Sequence, residues 1–261
     1  MTDTPTLELR GVEKSFGPVH VLSSVDFQAK AGEVTALVGD NGAGKTTLVK
    51  CIGGIYAADG GEFLFEGQPV SIHSPRDAAA LGIEIVYQDL ALADNLDIVQ
   101  NMFLGRERLT GVKTLDENSM EKAAQDALAS LSVRTVRSVR QLVASLSGGQ
   151  RQTVAIAKSV LWQSKVVILD EPTAALGVAQ TDQVLQLVRR LAEQGVAVIL
   201  ISHNMLDVLQ VADSIAVLYL GRMAAQVRRS DVTQTQVVEL ITAGRSGDIG
   251  LSRAESTGAT V

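Results

Sequence analysis

Hydrophobic and polar residues alternate along two stretches near the start of the chain, residues 7–12 and 25–29. Such alternation predicts half-buried β-strands. Residues 33–39, 166–170 and 196–202 are instead almost continuously apolar, which is typical of strands that are covered on both faces. The pattern therefore predicts half-buried strands at the start of the chain and fully buried strands further along.

Helical spacing replaces these patterns from about residue 90 to residue 163. Within that region, apolar residues between positions 120 and 131 recur on one helical face. After residue 163, strands alternate with helices again. Such βα alternation predicts an α/β protein with a mostly parallel sheet, and the middle region predicts an inserted helical subdomain. No internal repeat is visible, so we expect one unit rather than a tandem pair.

Composition narrows the class of protein further. The chain has 261 residues, of which 46% are hydrophobic and only 3% aromatic, and its net charge is -6. An acidic surface argues against a nucleic-acid partner. The single cysteine, Cys51, cannot form an internal disulfide, which favours a reducing compartment. We find no signal peptide, and the longest apolar run, residues 196–201, is too short for a membrane span, so we expect a soluble cytoplasmic protein.

A phosphate-binding pattern lies between a predicted buried strand and a predicted helix. The sequence GDNGAGKTT fits G-x-x-x-x-G-K-[ST], in which backbone N–H groups surround a β-phosphate. Lys45 is expected to neutralise phosphate oxygens, and the Thr46 hydroxyl is expected to bind Mg²⁺. The alternative is a glycine-rich turn with an incidental lysine. The predicted ATP-binding residues of this loop are Gly39, Asp40, Asn41, Gly42, Ala43, Gly44, Lys45, Thr46 and Thr47.

Two adjacent carboxylates follow the buried strand at residues 166–170. Asp170 is expected at the carboxyl end of that strand, where α/β sheets bind ligands, and it can hold Mg²⁺ through water. Pro172 cannot continue a central strand, so Glu171 is free to turn towards an attacking water as general base. An acidic cap between strand and loop is the alternative.

Five motifs in one order carry a resemblance to a known family. The motifs GDNGAGKTT, VYQD, SLSGGQRQ, VVILDEPT and ISHN together resemble the ATP-binding cassette family, the motor subunits of membrane transporters. The match covers about residues 7–243. It implies an ATPase domain over residues 1–243, with a P-loop NTPase core, an antiparallel β subdomain and a helical subdomain inserted at about residues 90–163. Residues 244–261 are small and polar, and we expect a disordered tail.

The resemblance also implies roles for residues outside the phosphate loop. Gln88 would bind Mg²⁺, sense the attacking water and link to the membrane partner; His203 would contact the γ-phosphate. A histidine that caps the next helix is the alternative for His203. Phe16 would stack on adenine, unless it is a core phenylalanine. The residues that would act on the ATP of a second copy of the chain are Ser147, Gly148, Gly149 and Gln150. A second copy is therefore an expected partner.

Gly177 departs from the family pattern. The loop after Glu-Pro-Thr carries Leu-Asp in most members, whereas this chain has Leu176-Gly177. That loop and residues 74–107 are similar to the subgroup that drives bacterial uptake of monosaccharides such as ribose, xylose and fructose. The resemblance implies ATP and Mg²⁺ as cofactors, a separate membrane permease, an indirect sugar-binding partner and a place on the cytoplasmic face of the membrane. An exporter motor or a non-transport cassette protein is the alternative. Arg134, Arg137 and Arg140 are expected in a solvated loop, and a basic patch is the alternative.

Overall fold

The computed structural model describes residues 4–133 and 135–251. The strands are β1 (Leu7–Phe16), β2 (Val19–Ala29), β3 (Val34–Val38), β4 (Gly60–Phe65), β5 (Gln68–Val70), β6 (Ile83–Val86), β7 (Val166–Asp170), β8 (Ala197–Ile201), β9 (Ser214–Tyr219), β10 (Arg222–Arg228), β11 (Arg245–Ser246) and β12 (Ile249–Gly250). The helices are α1 (Lys45–Ile52), α2 (Pro75–Ala80), α3 (Ile98–Phe103), α4 (Glu117–Ser130), α5 (Gly148–Leu161), α6 (Val178–Glu193), α7 (Met205–Val211) and α8 (Gln234–Ala243). Two 3₁₀ turns lie at Val143–Ser145 and Arg229–Asp231.

The central sheet has six strands in the order β10-β9-β3-β8-β7-β6. All neighbouring pairs from β9 to β6 are parallel, and β10 pairs with β9 in the antiparallel direction. Strands β3 and β8 are buried along their whole length. Because parallel strands end at the same edge, the loops after β3, β6, β7 and β8 lie at one side of the sheet. This confirms the predicted mostly parallel sheet.

An antiparallel sheet of four strands, in the order β2-β1-β4-β5, forms a second layer. Strands β1 and β2 are longer than the predicted stretches 7–12 and 25–29, because their pairing continues beyond an irregularity between Leu9 and Val12. Gly11, at φ 56°, lies in that irregularity, and its N–H donates to Asp26 Oδ1 at 2.8 Å. A bulge of this kind disturbs the alternation of side chains without ending the strand.

Helix α1 packs between the two sheets. Its buried residues Leu48 and Ile52 share one hydrophobic cluster with Phe27 of the antiparallel sheet and Ile199 of the central sheet. The phosphate-loop sequence leads directly into this helix, since α1 begins at Lys45. The core therefore fixes the helix whose N-terminus forms part of the candidate site.

The helical insertion between β6 and β7 contains α3, α4 and α5. Met102, Leu128 and Ile156, one from each helix, are buried in a cluster that continues to Leu169 of the central sheet. Across residues 4–133 and 135–251, none of the helices has both the length and the hydrophobicity that crossing a bilayer requires. The inserted helices thus pack on the sheet and on one another.

Arg140 lies in a turn, and its side chain is 33% exposed and ion-paired rather than freely solvated. Its guanidinium donates to Glu121 Oε2 at 2.8 Å, to Glu117 Oε2 at 3.1 Å and to Asp97 Oδ2 at 3.4 Å. These acceptors raise the pKa of Arg140, and they tie the loop before α5 to α4 and to the N-terminus of α3. Arg134 lies outside the described residues.

The expectation of a disordered tail over residues 244–261 is wrong for residues 244–251. Gly244 ends α8 in the left-handed conformation, and β11 then pairs with β12 in a short hairpin. Ile249 and Leu251 pack against a cluster that contains Leu240, and Leu251 N donates to Gly244 O. These apolar contacts, not visible as a pattern in so short a stretch, order the hairpin. Residues 252–261 lie outside the described part of the chain.

Cys51 should be protected from alkylation until the protein unfolds. Its side chain is 1% exposed in α1, and burial raises the pKa of the thiol to about 11. At pH 8 roughly one thiol in a thousand is then ionised, and only the thiolate reacts. We expect iodoacetamide to label the native protein very slowly and the urea-unfolded protein completely, as measured by intact mass. Rapid labelling without urea would contradict the packing of α1.

Candidate functional site

Three glycines shape the loop between β3 and α1. Gly42 and Gly44 have φ values of 81° and 104°, a region that residues with a Cβ enter only at an energetic cost. A Cβ on Gly39 would lie 2.3 Å from Leu218 O, and one on Gly44 would lie 2.9 Å from Leu22 Cδ2. Glycine thus occupies positions where a side chain would be strained, at Gly42 and Gly44, or would lack space, at Gly39 and Gly44.

The predicted loop residues differ in accessibility. Ala43 and Gly44 are buried, whereas Gly39, Lys45 and Thr47 are half-buried. The exposed members are Asp40, Asn41, Gly42 and Thr46. Thr46 lies in the first turn of α1, where the positive end of the helix dipole faces solvent. The accessible surface of the loop thus combines backbone, a helix N-terminus and the Thr46 side chain, which is suited to an anion and its metal ion.

The Lys45 ammonium bends back over the loop. Its Nζ donates to Gly39 O at 2.7 Å and to Asp40 O at 2.9 Å. Burial lowers the pKa of Lys45, and the nearby charges of Glu171, Asp40 and Asp170 oppose that shift. The loop carbonyls therefore hold a positive charge close to both predicted carboxylates.

Strand β7 ends at Asp170, as the sequence predicts. Burial raises the pKa of Asp170, the neighbouring Glu171 charge raises it further, and Lys45 and Lys50 oppose both effects. Glu171 has φ 50°, an unusual conformation for a residue with a side chain, and its N–H donates to Ile201 O at 3.0 Å. Strand β7 thus ends before Glu171, which adopts a left-handed backbone conformation between the strand and Pro172.

His203 lies beside Glu171. Its Nδ1 is 2.8 Å from Glu171 Oε1; the histidine side chain is 76% exposed and that of Glu171 is 16% exposed. The alternative role for His203, a cap on the next helix, is wrong, because Asn204 caps α7 through its side chain. The structure therefore brings together Lys45, Asp170, Glu171 and His203.

Gln88 follows β6, the strand next to β7. It is exposed, and the neighbouring Tyr87 has a raised pKa because of burial and the charge of Asp170.

The segment after Gln88 is held by Asn101, whose buried amide accepts from Ala93 N at 2.7 Å and donates to Ala93 O and Asp97 O. Asn101 was missed by sequence reasoning, because a buried asparagine on a short helix has no periodic signal.

The residues predicted to act on the ATP of a second copy, here called the signature residues, form the N-terminus of α5; they are Ser147, Gly148, Gly149 and Gln150. Ser147 caps the helix: its Oγ accepts from Gln150 N at 3.3 Å, and Gln150 Oε1 accepts from Ser147 N at 2.9 Å. Gln150 also donates to Thr135 O at 2.6 Å, so its amide is engaged within its own chain. Gly148 is exposed and Gly149 is buried. Within residues 4–133 and 135–251, no hydrogen bond or ion pair joins these residues to the phosphate loop.

Phe16 is an exposed aromatic residue. It is 43% exposed, so the alternative of a core phenylalanine is wrong. Its ring meets Tyr56 edge to face with 5.1 Å between centroids, and Lys14 Nζ lies 5.4 Å from its centroid. The Tyr56 contact orients the Phe16 ring and leaves part of its surface available for stacking. Tyr56 was not among the predicted residues.

Comparison with protein families gives a match to the family described as ABC transporter, over residues 22–174. The match spans the phosphate loop, the signature helix and both carboxylates. The chain belongs to the ABC transporter family. It has the ATP-binding cassette of these transporters, and the family confirms the predicted resemblance and the ATPase class.

Relatives within the ABC transporter family include several sugar-import proteins. The fructose import ATP-binding protein FrcA of Rhizobium meliloti is 44% identical, with 94% of this chain and 96% of that protein covered. The xylose/arabinose import ATP-binding protein XylG of Sulfolobus acidocaldarius is 42% identical, with 94% and 97% covered. The ribose import ATP-binding protein RbsA 1 of Rubrobacter xylanophilus is 42% identical over 93% of this chain, which spans only 48% of that protein.

Solved structures of other cassettes share the fold. A cassette in its ADP conformation superposes with a TM-score of 0.77 at 24% identity, covering 91% of this chain and 95% of that one. The cbiO1 protein of Clostridium perfringens, part of a cbiONQ transporter complex, superposes with a TM-score of 0.75 at 28% identity, covering 90% and 93%. These neighbours confirm the predicted fold class for this ABC cassette.

Gly177 occupies the N-cap position of α6 in the cassette. Its backbone, at φ -75° and ψ 161°, is one that any residue adopts, and no side chain caps the helix. A Cβ built on Gly177 would have no neighbouring atom within 4 Å. The site could therefore accommodate an aspartate side chain.

Gly177→Asp should stabilise the protein by capping α6. We expect its free energy of unfolding to exceed that of Gly177→Ala by about 1 kcal/mol, because the aspartate can accept a hydrogen bond from the first turn of the helix. Urea titration of both variants measures the difference, and the alanine variant controls for the loss of glycine flexibility. Equal unfolding midpoints would show that α6 needs no side-chain cap.

Proposed function

We propose that this ABC cassette is the ATP-hydrolysing subunit of a monosaccharide importer. The observation that carries the proposal is the cluster of Lys45, Asp170, Glu171 and His203 at the carboxyl edge of the central sheet. Support for a sugar substrate comes from the fructose and xylose/arabinose relatives, which this chain matches over almost their whole length. The subunit would act peripherally, at the cytoplasmic face of the membrane, on a separate permease that receives sugar from a sugar-binding protein.

The loop and its flanking residues suit ATP with Mg²⁺. Mg²⁺ prefers hard oxygen ligands. The Thr46 hydroxyl, the Asp170 carboxylate and the Gln88 carbonyl are oxygen donors at the carboxyl edge of the central sheet. Mg²⁺ would neutralise phosphate charge. Lys45, released from its loop carbonyls, would bind the β- and γ-phosphate oxygens, and backbone N–H groups of residues 39–47 would surround the β-phosphate.

Glu171 is the proposed general base. It lies beyond the metal carboxylate and is turned out of the strand by its positive φ, so it can accept a proton from a water that attacks the γ-phosphate. His203 would hold Glu171 through Nδ1 and present Nε2 to the γ-phosphate. Phe16 would stack on adenine from the end of β1.

A second copy of the chain would complete each site. The Ser147 end of α5 has no polar link to the phosphate loop of its own chain within the described residues, and its hydroxyl and helix N-terminus are exposed. In a head-to-tail pair, Ser147, Gly148 and Gly149 of one copy would face the γ-phosphate held by Lys45 of the other. Gln150 would support this indirectly, since its amide holds the cap. ATP binding would then close the pair and hydrolysis would open it, which is a movement a permease can follow.

Glu171→Gln should abolish hydrolysis and leave ATP binding intact. Loss of a general base lowers the rate on the order of 10²–10⁴-fold, whereas the phosphate loop is unchanged. We expect the ATP-dependent rise in melting temperature to persist, and uptake of labelled monosaccharide to fail in a deletion strain that carries the variant. Glu193→Gln, at an exposed position of α6, is the control and should behave as wild type. A Glu171→Gln protein with a third of normal turnover would overturn the role.

Mixing two inactive variants should restore activity if the sites are shared. Lys45→Ala removes the phosphate clamp and Ser147→Arg blocks the signature, so each homodimer has two defective sites. In a mixed dimer both defects fall in one site and the other is intact. Random pairing should then return up to about a quarter of wild-type ATP turnover. Each variant mixed with itself is the control, and a mixture that stays inactive while the proteins demonstrably pair would contradict a shared site.

A further inference from the structure

Asp207 is a buried carboxylate on α7 that neither the phosphate loop nor the signature uses. The residue is only 4% exposed. One oxygen accepts from Thr173 Oγ1 at 2.6 Å and the other accepts from Asn204 Nδ2 at 2.9 Å. Both donors are neutral. Burying a carboxylate is costly, so these two short hydrogen bonds mark a place where the fold maintains a particular geometry.

The two donors belong to the two loops that carry the proposed catalytic side chains. Thr173 is two residues after Glu171 in the loop that follows β7, and Asn204 is next to His203 in the loop that follows β8. Asn204 is itself held: its Oδ1 accepts from Leu206 N and its N–H donates to Ser202 Oγ, each at 3.0 Å. Asp207 therefore connects the loop after β7 with the loop after β8 through two side-chain hydrogen bonds.

Capping of α7 alone does not explain this arrangement. Asn204 already caps the helix. An acidic residue in the first turn is stabilised by the helix dipole while it is exposed to solvent, so capping does not require its burial. Asp207 instead faces inward and binds a hydroxyl from a loop 34 positions away in the sequence. The contact across the loops is thus an additional function of the residue.

We propose that Asp207 is a positioning residue that sets the distance between Glu171 and His203. It acts through Thr173 on the first loop and through Asn204 on the second, together with the backbone bond from Glu171 N to Ile201 O. The effect of Asp207 on catalysis rests on the proposed ATP hydrolysis. Its effect on the distance between Glu171 and His203 does not depend on hydrolysis. Without the Thr173 hydrogen bond, the loop after Glu171 is free to move against the loop that carries His203, and the 2.8 Å contact loosens.

Thr173→Val tests the link, because it removes the hydroxyl and keeps the shape of the side chain. We expect kcat for ATP hydrolysis to fall about tenfold, since small displacements of catalytic groups have effects of this size, while KM changes less than twofold. Thr173→Ser restores the hydroxyl and should return kcat to within twofold of wild type. Asp182→Asn, at an exposed position of α6, is the matched control and should leave kcat unchanged.

A second measurement does not depend on hydrolysis. The chain has three histidines, His20, His73 and His203, so their ring signals can be assigned by nuclear magnetic resonance. Thr173→Val and Asp207→Asn should shift the His203 ring signals and leave those of His20 and His73 in place. If the wild type proves inactive with ATP, the proposed function fails, yet these spectra still decide whether Asp207 positions His203.

Each outcome of these experiments either supports or overturns the positioning role of Asp207. A kcat loss in Thr173→Val with rescue in Thr173→Ser, together with a moved His203 signal, supports the positioning role. Equal losses in the serine and valine variants, or a His203 signal that stays in place in both Thr173→Val and Asp207→Asn, would overturn it. A rise in KM with unchanged kcat would also overturn it, because that would place the effect on nucleotide binding.

Discussion

The parallel register of β3, β7 and β8 is the constraint on which the candidate site depends. β8 pairs with β3 on one side and with β7 on the other, so that Leu200 lies opposite both Ala36 and Leu169. The strands therefore end almost level, and the loops that carry Lys45, Glu171 and His203 reach one another without being long. Since these strands are buried on both faces, packing from two sides fixes the register. A slip of one residue would separate the charged groups and exchange the side chains that pack on the two faces.

The pKa shifts in the site arise because these loops lie close together. Burial lowers the pKa of Lys45 and raises that of Asp170, so each group is disfavoured in its charged form by the loss of water. Their opposite charges counteract both shifts, but Lys45 faces Glu171 as well as Asp170. A nucleotide brings further negative charge to a place that already holds two carboxylates. This is a physical reason for the proposed Mg²⁺: the phosphate group needs a second cation in order to lie next to these acids.

Sequence patterns predicted β3, β7 and β8 of the central sheet because these strands are almost uninterrupted apolar runs. They predicted the phosphate loop because its glycines and lysine have fixed spacing. The alternation in β1 and β2 predicted only part of each strand, since the bulge near Gly11 changes the side-chain phase. The hairpin after Gly244, the ion pairs of Arg140 and the cross-loop contact of Asp207 were not predictable in the same way. The contacts of Arg140 and Asp207 join side chains that are far apart in the sequence, and the hairpin packs on a cluster that exists only after the core has formed. Gln150 shows the same limit: its position in the signature was evident, but its engagement with Thr135 was not.

The surroundings of the phosphate loop limit the conformations that the loop can adopt. Ala43 O accepts from Gly221 N, and Gly221 O accepts from Ser23 N, so the loop, the turn after β9 and strand β2 are joined by main-chain bonds. Leu218 O lies close to Gly39, and the Leu22 side chain lies close to Gly44. These contacts leave little room for other conformations of the loop. Most of the entropy lost in ordering this loop is therefore lost when the protein folds, and not when a ligand arrives. Association should then depend only weakly on rearrangement of this loop.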